Sequence, residues 1–179
     1  YYNRPTQKAH FWVDYPEVLA GRDKKYGGTW LGITRSGKVG VLTNYRNPKH
    51  HKNKLKSRGL LLNKYLTNKL CNGEYSEYLQ TSKDNYNGYN LIFNNNNKFY
   101  WYSNIKNRIH NLLPGIHGLS NHLLDTPWPK VERGKYLLQK CLNNNQLDDD
   151  QIMNILKNNS IPDDSKLPYT GIGLKYERV

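Results

Sequence analysis

The sequence is poor in the residues that would fix a chemistry outright. It has 2 cysteines, Cys71 and Cys141, far apart and without a CxxC spacing. A structural zinc site draws about four nitrogen or sulfur ligands, and no clustered set of them exists. Disulfide-rich scaffolds are excluded for the same reason, and the thiols read as reduced cysteines of a cytoplasmic protein. No run approaches the roughly 20 apolar residues of a membrane-spanning helix. The one methionine is Met153, the first residue is Tyr1, and no charged segment followed by an apolar one marks a signal peptide. Acidic residues are also scarce, 14 against 27 lysines and arginines, for a net charge of +13.

Several catalytic signatures are missing as well. Gly27-Gly28-Thr29-Trp30 lacks the GxxxxGK[ST] spacing of a phosphate loop and precedes a strand pattern instead of opening a helix. The histidines His10, His50, His51, His110, His117 and His122 form no HxxxH or HExxH pair, and no G-x-S-x-G elbow is present. The acidic triplet Asp148-Asp149-Asp150 reads as a helix start, with Asp148 as cap and Gln151 at the capping-box position, and not as a metal site.

What is present is a folded polar chain. The 179 residues are enough for one domain with its own core. The hydrophobic share is only 36% and the mean hydropathy -0.90, yet 15 tyrosines and 4 tryptophans set the chain apart from disordered sequences. About two dozen asparagines include the runs Asn94–Asn97 and Asn143–Asn145, which fall between periodic segments and read as loops.

Periodicity predicts an α+β fold with antiparallel sheet. Residues 29–44 read as a hairpin turning at Arg35-Ser36-Gly37-Lys38, and 89–102 as a second hairpin joined by the asparagine run. Residues 1–20, with Pro5 and Pro16, favour extended structure, and Gly21-Arg22-Asp23 punctuates the chain. Ser57 is the expected cap of a helix burying Leu61, Leu62, Tyr65 and Leu66. A short helix follows around Tyr75, Tyr78 and Leu79, and another runs from about Glu132 to Leu142. Gly115 to Asn121 reads as a glycine-bearing turn and strand, and Tyr169 to Val179 as a connector. Hairpins and helices in separate blocks argue against a βαβ array.

The densest basic stretch is Lys49-His50-His51-Lys52-Asn53-Lys54-Leu55-Lys56-Ser57-Arg58, on a loop after Asn47-Pro48. No zinc-finger, RRM or KH pattern accompanies it, so nucleic acid is not the expected partner. It is either a solvated run or the basic rim of a site for a small anion. Asn44-Tyr45-Arg46 adds an amide, a phenol and a guanidinium at a strand end, a combination that can hold an anion.

Several blocks in order carry a resemblance. These are Arg4-Pro5-Thr6, Leu19-Ala20-Gly21-Arg22-Asp23, Gly27-Gly28-Thr29-Trp30-Leu31-Gly32 and Leu42-Thr43-Asn44-Tyr45-Arg46. Ser57-Arg58-Gly59, Asn87-Gly88-Tyr89-Asn90-Leu91, Gly115-Ile116-His117-Gly118-Leu119-Ser120-Asn121 and Leu124-Asp125-Thr126-Pro127-Trp128-Pro129-Lys130 follow. Together they resemble the transport-and-Golgi-organisation family, named NRDE after an Asn-Arg-Asp-Glu motif, over nearly the whole chain. That motif and a cysteine after the initiator methionine are not in this sequence. It therefore reads as a single NRDE-type domain, 1–179, lacking both ends of the family pattern.

The family is similar to the N-terminal-nucleophile hydrolases, which implies two antiparallel sheets stacked between helical layers. It also implies a protein that handles haem or a lipid-like anion such as acyl-CoA, in haem mobilisation, lipid homeostasis or secretory organisation. Haem enters as cargo and not as a resident cofactor. Cytoplasmic residence, with mitochondrial or Golgi association in a eukaryote, goes with that reading. The alternative is an amidohydrolase whose nucleophilic cysteine lies upstream. No catalytic residue and no metal ligand is expected within these residues. The expected ligand site is Thr29, Trp30, Asn44, Arg46, Arg58, Ser120 and Asn121, with His117 as the candidate haem ligand.

Overall fold

The computed structural model describes residues 4–50, 52, 55–68, 72–144 and 147–178. Its centre is one seven-stranded antiparallel sheet whose spatial order follows the sequence. The strands are β1 (Thr6–Phe11), β2 (Val18–Asp23), β3 (Leu31–Thr34), β4 (Val39–Asn44), β5 (Tyr89–Asn95), β6 (Lys98–Ser103) and β7 (Arg108–Leu112). The long β4–β5 connection carries α1 (Gly59–Thr67) and α2 (Asn72–Thr81). After β7 come α3 (Pro129–Asn143), α4 (Asp149–Leu156) and the single turn α5 (Leu174–Glu177).

Both expected hairpins form. Leu31 pairs with Val41 in the first and Asn95 with Lys98 in the second. In the second, Asn96 and Asn97 take φ of 44° and 65°, so a two-residue turn with both centres left-handed matches the twist of the strands. The asparagine run is more than loop, since Asn94 belongs to β5. Its Oδ1 accepts from the Val39 N–H at 2.6 Å and the Tyr65 hydroxyl at 2.9 Å, while its Nδ2 donates to the Gly37 carbonyl at 2.9 Å. One side chain thus ties two hairpins and a helix.

The expected helix buries Leu61, Leu62, Tyr65 and Leu66 against one sheet face. With Tyr75, Leu79, Tyr86, Tyr89, Leu91, Phe93 and Tyr102 they make the core. Tyrosine explains the low hydropathy, because a buried ring brings a hydroxyl, and several of these find an acceptor within the core. Tyr75 donates to the Leu61 carbonyl at 3.0 Å and Tyr102 to that of Leu79 at 2.9 Å. Burial pushes the Tyr65 and Tyr102 hydroxyls up to about 12, so they stay protonated donors.

Other expectations are corrected. Gly21-Arg22-Asp23 lies inside β2, where Ala20, Gly21 and Asp23 are buried. Arg58, not Ser57, stands at the N-cap of α1 and makes no side-chain capping bond, since a guanidinium has no acceptor to offer; the Ser57 hydroxyl accepts from Arg4 instead. No strand forms over Gly115–Asn121; the seventh strand is Arg108–Leu112, whose polar alternation carried too few apolar residues to read. Helix α3 starts at Pro129, three residues ahead of Glu132, since a proline suits the first helical position. Asp148 does cap α4, its Oδ1 accepting from the Gln151 N–H at 2.8 Å. All seven strands join one sheet, so a second stacked sheet is not found among the described residues.

Candidate functional site

The site forms where the β2–β3 turn meets the start of α1. The Asp23 N–H donates to the Gly28 carbonyl and the Gly27 N–H to the Asp23 carbonyl, both at 2.8 Å, with Gly27 at φ +70°. The turn is fixed from outside by Asn63, whose Nδ2 donates to the Gly27 carbonyl at 2.7 Å. Gly28 then crosses Gly59 backbone to backbone. A Cβ on Gly28 would lie 2.9 Å from the Gly59 carbonyl carbon and Cα. The Thr29 N–H donates to the Gly59 carbonyl at 3.3 Å, and the buried Thr29 hydroxyl to that of Leu31 at 3.2 Å. Two small residues therefore let helix and turn share one corner.

Beside that corner opens a cavity of about 590 Å³, within the range of small-molecule sites. Thr29, Trp30, Asn44 and Arg58 line it, four of the residues expected from the sequence. Leu42, Leu55 and Tyr26 add apolar wall, while Arg4, Lys56 and Asp23 add charge. Arg4 donates from Nε to Asp23 Oδ2 at 3.0 Å and from Nη2 to Ser57 Oγ at 3.2 Å, and it stacks 4.9 Å from the Tyr26 ring centre. Arg4 beside Asp23 holds that carboxyl below the usual range, outweighing its burial. Three cations thus face one neutralised carboxylate. Arg58 is anchored by donation from Nη1 to the Gly88 carbonyl at 2.8 Å. Positions 51, 53 and 54 of the basic stretch lie outside the described residues, but Lys56 and Arg58 bring its charge to the cavity wall.

Arg46, His117, Ser120 and Asn121 are not among the lining residues. Asn121 instead secures the strand end next to the site. Its Nδ2 donates to the Asn44 carbonyl at 3.0 Å and its own carbonyl accepts from the Arg46 N–H at 2.8 Å. Ser120 is half-buried in the same strap of chain. His117 has both ring nitrogens engaged, Nδ1 at 2.8 Å from Asp125 Oδ2 and Nε2 at 2.9 Å from the Leu113 carbonyl. Both neighbours are acceptors, so the ring is held as a cation, and Asp125 raises its pKa. A haem-ligating role would require giving up the Leu113 or the Asp125 bond.

His122, for which no sequence pattern argued, is a second fixed ring. Thr126 donates to the Leu123 carbonyl at 2.8 Å, so it accepts from His122 Nδ1 at 2.9 Å, leaving Nε2 to accept from the Tyr45 hydroxyl at 3.2 Å. Burial, with Lys106 adding to it, lowers the His122 pKa, in keeping with this neutral tautomer. Sequence reasoning also missed Arg4 and Asp23 as site residues. Both stand in the blocks that carry the family resemblance, and that was the available signal.

Cys141 lines a separate groove between α3 and α4, and Cys71 lies outside the described residues. Among the described residues no group of three or more His, Cys, Asp or Glu could hold a metal ion, and no helix is long and apolar enough to cross a membrane.

Fold and cavity together define a basic α+β protein with one antiparallel meander and a cationic, aromatic-walled pocket at its helix–turn corner. The chain belongs to the Transport and Golgi organisation 2 family, whose model matches residues 1–178. It is 38% identical over 151 residues to the Transport and Golgi organization 2 homolog of Mus musculus, covering 79% of this chain and 54% of that one. It is 36% identical over 155 residues to the Homo sapiens protein, covering 82% and 56%. The chain therefore spans about half the length of these curated relatives.

Proposed function

We propose that the cavity binds a small anionic, partly apolar ligand of the kind represented by haem or an acyl-CoA. The observation that carries this is the make-up of its wall: Arg4, Lys56 and Arg58 alongside Trp30, Leu42 and Leu55. Guanidinium and ammonium groups fit a carboxylate or phosphate, and the indole and leucines fit a flat or aliphatic body. The half-exposed indole of Trp30 is free to pack against such a body. Thr29 and Asn44 set the floor and rim. The role is one of holding a ligand, within a family concerned with transport and Golgi organisation, and it goes with a cytoplasmic site of action.

The test is titration of the 179-residue chain with haem and with a long-chain acyl-CoA, read by quenching of tryptophan fluorescence. Coenzyme A alone and a free fatty acid separate the head from the tail. Arg58→Ala should weaken binding by about 10- to 150-fold, the equivalent of about 1.5–3 kcal/mol for a charged hydrogen bond. His117→Ala should leave acyl-CoA binding unchanged. Equal affinity of the parent and a folded Arg58→Ala protein for both ligands would place the site elsewhere.

A further inference from the structure

The charge of the chain is unevenly spread. Residues 24–73 hold 12 of the 27 lysines and arginines and none of the 14 acidic residues. The rest of the sequence sets 15 cations against 14 acids, so nearly all of the +13 sits in that one stretch. A block of one sign on an otherwise balanced chain is the footprint of a polyanionic partner.

Part of this charge is used inside the fold. Lys38 donates from Nζ to the Tyr65 and Asn68 carbonyls at 2.9 and 2.6 Å, and Arg58 is anchored on Gly88. The lysines around the cavity mouth are placed differently. Lys24 and Lys25 are exposed on the β2–β3 turn, beside Tyr26 of the cavity wall. Lys52 is exposed as well, and Asn87, another wall residue, holds its backbone in place. Asn87 Nδ2 donates to the Lys52 carbonyl and Oδ1 accepts from its N–H, both at 2.8 Å. Lys56 is exposed on the wall itself. Among the described residues none of these four ammonium groups makes a salt bridge. Two large aromatic side chains stand among them, Tyr26 at 52% and Trp30 at 44% exposure.

We propose that this rim is a docking surface for an anionic lipid bilayer. Charge complementarity calls for a partner with many negative groups and no fixed geometry. Lysine supplies compact, hydrated point charges, which suit a fluid layer of headgroups; planar, bidentate recognition is the work of arginine. The two exposed aromatics select lipid over nucleic acid. Tyrosine and tryptophan settle at headgroup level, with their rings in the apolar region and their polar tips in the wet one. A strand of bases would call for a row of rings along a groove. Docked in this way, the cavity opens onto the lipid surface, and an amphipathic molecule passes between bilayer and pocket without crossing water. The docking itself stands whatever ligand the cavity holds.

The experiment sediments the 179-residue chain with vesicles of phosphatidylcholine and phosphatidylserine in equal parts, and with phosphatidylcholine alone. The expected result is binding to the first and not the second, weakening steeply as salt is raised. The triple variant Lys24→Gln, Lys25→Gln, Lys52→Gln should bind about 100-fold more weakly, since each lysine at an anionic surface is worth about fivefold. None of the three lines the cavity, so titration with acyl-CoA in solution should match the parent. Lys98→Gln, Lys140→Gln, Lys157→Gln removes the same charge from exposed positions elsewhere and should cost less than tenfold. The proposal is overturned if the parent ignores the anionic vesicles, or if both triple variants lose affinity equally. It is overturned equally if an oligonucleotide binds the parent more tightly than the vesicles at the same ionic strength and the rim variant abolishes that binding. Loss of acyl-CoA binding with vesicle binding intact would refute the ligand and leave the docking surface standing.

Discussion

Substituting Gly28 by alanine tests whether the corner that shapes the cavity is set by backbone contact. The new methyl would sit 2.9 Å from the Gly59 carbonyl carbon and Cα and 3.2 Å from the Leu60 nitrogen. None of these is the yielding end of a side chain. They belong to the first turn of α1, which is held down by the buried Leu61, Leu62, Tyr65 and Leu66 and by the Thr29 N–H bond to Gly59. Relief therefore requires tilting the helix on its sheet. Overpacking of this sort costs about 1–3 kcal/mol, and the gain from a stiffer unfolded chain returns only about 0.4–1 kcal/mol. The net loss is about 1–2 kcal/mol. For a chain of this size that is a fall of about 2–8 °C in Tm, measurable by calorimetry or circular dichroism. Gly134→Ala is the control. Nothing lies within 4 Å of a Cβ there, and the residue is inside α3, so this change should stabilise by about 0.5–1 kcal/mol. A Gly28→Ala protein that melts at or above the parent would refute the reasoning.

Asn94→Ala removes the side-chain bonds to the Val39 N–H and the Gly37 carbonyl, while the Tyr65 hydroxyl keeps the Asn94 backbone carbonyl at 2.6 Å; a loss of about 2 kcal/mol is expected by denaturant titration. Asp148→Ala should cost about 1 kcal/mol, seen as faster hydrogen exchange in α4 with little change elsewhere. The His117–Asp125 contact makes stability depend on pH at both ends. His117 has its pKa raised from 6.5 by Asp125, so its contribution is complete below that value and is lost as pH rises through the raised one. Burial alone would raise Asp125, but bonds from His117, the Gly118 N–H and Lys135 outweigh it and bring the carboxyl to about 2 from 3.8. Its contribution is complete above 3.8 and fades as pH falls towards 2. Urea midpoints measured from pH 2 to 9 should show both flanks, and Asp125→Asn should flatten them; unchanged flanks would show that the clamp carries no linkage.

How far the sequence reaches can be followed along particular residues. Gly37 between two alternating apolar runs was enough for the first hairpin, because turn geometry and strand period are local properties. The spacing of Leu61, Leu62, Tyr65 and Leu66 was enough for α1 and its buried face, and Asp148 with Gln151 for the start of α4. Thr29, Trp30, Asn44 and Arg58 were readable as site residues, since donors at strand ends and turns commonly face ligands. The ordered blocks gave the family.

Tertiary structure decided the rest. Whether the hairpins share a sheet depends on the β4–β5 pairing, made between residues separated by both helices, and no local pattern encodes it. That Arg4 bonds Asp23 on the cavity wall, 19 positions away, follows from the pairing of β1 with β2, in which Thr6 stands opposite Asp23. His117 looked available because it stands between glycines; the fold instead turns Asp125, at φ +55°, back onto it. Local propensity fixes elements through neighbours in the chain, whereas the site arises from contacts between distant segments, whose partners only the assembled sheet selects.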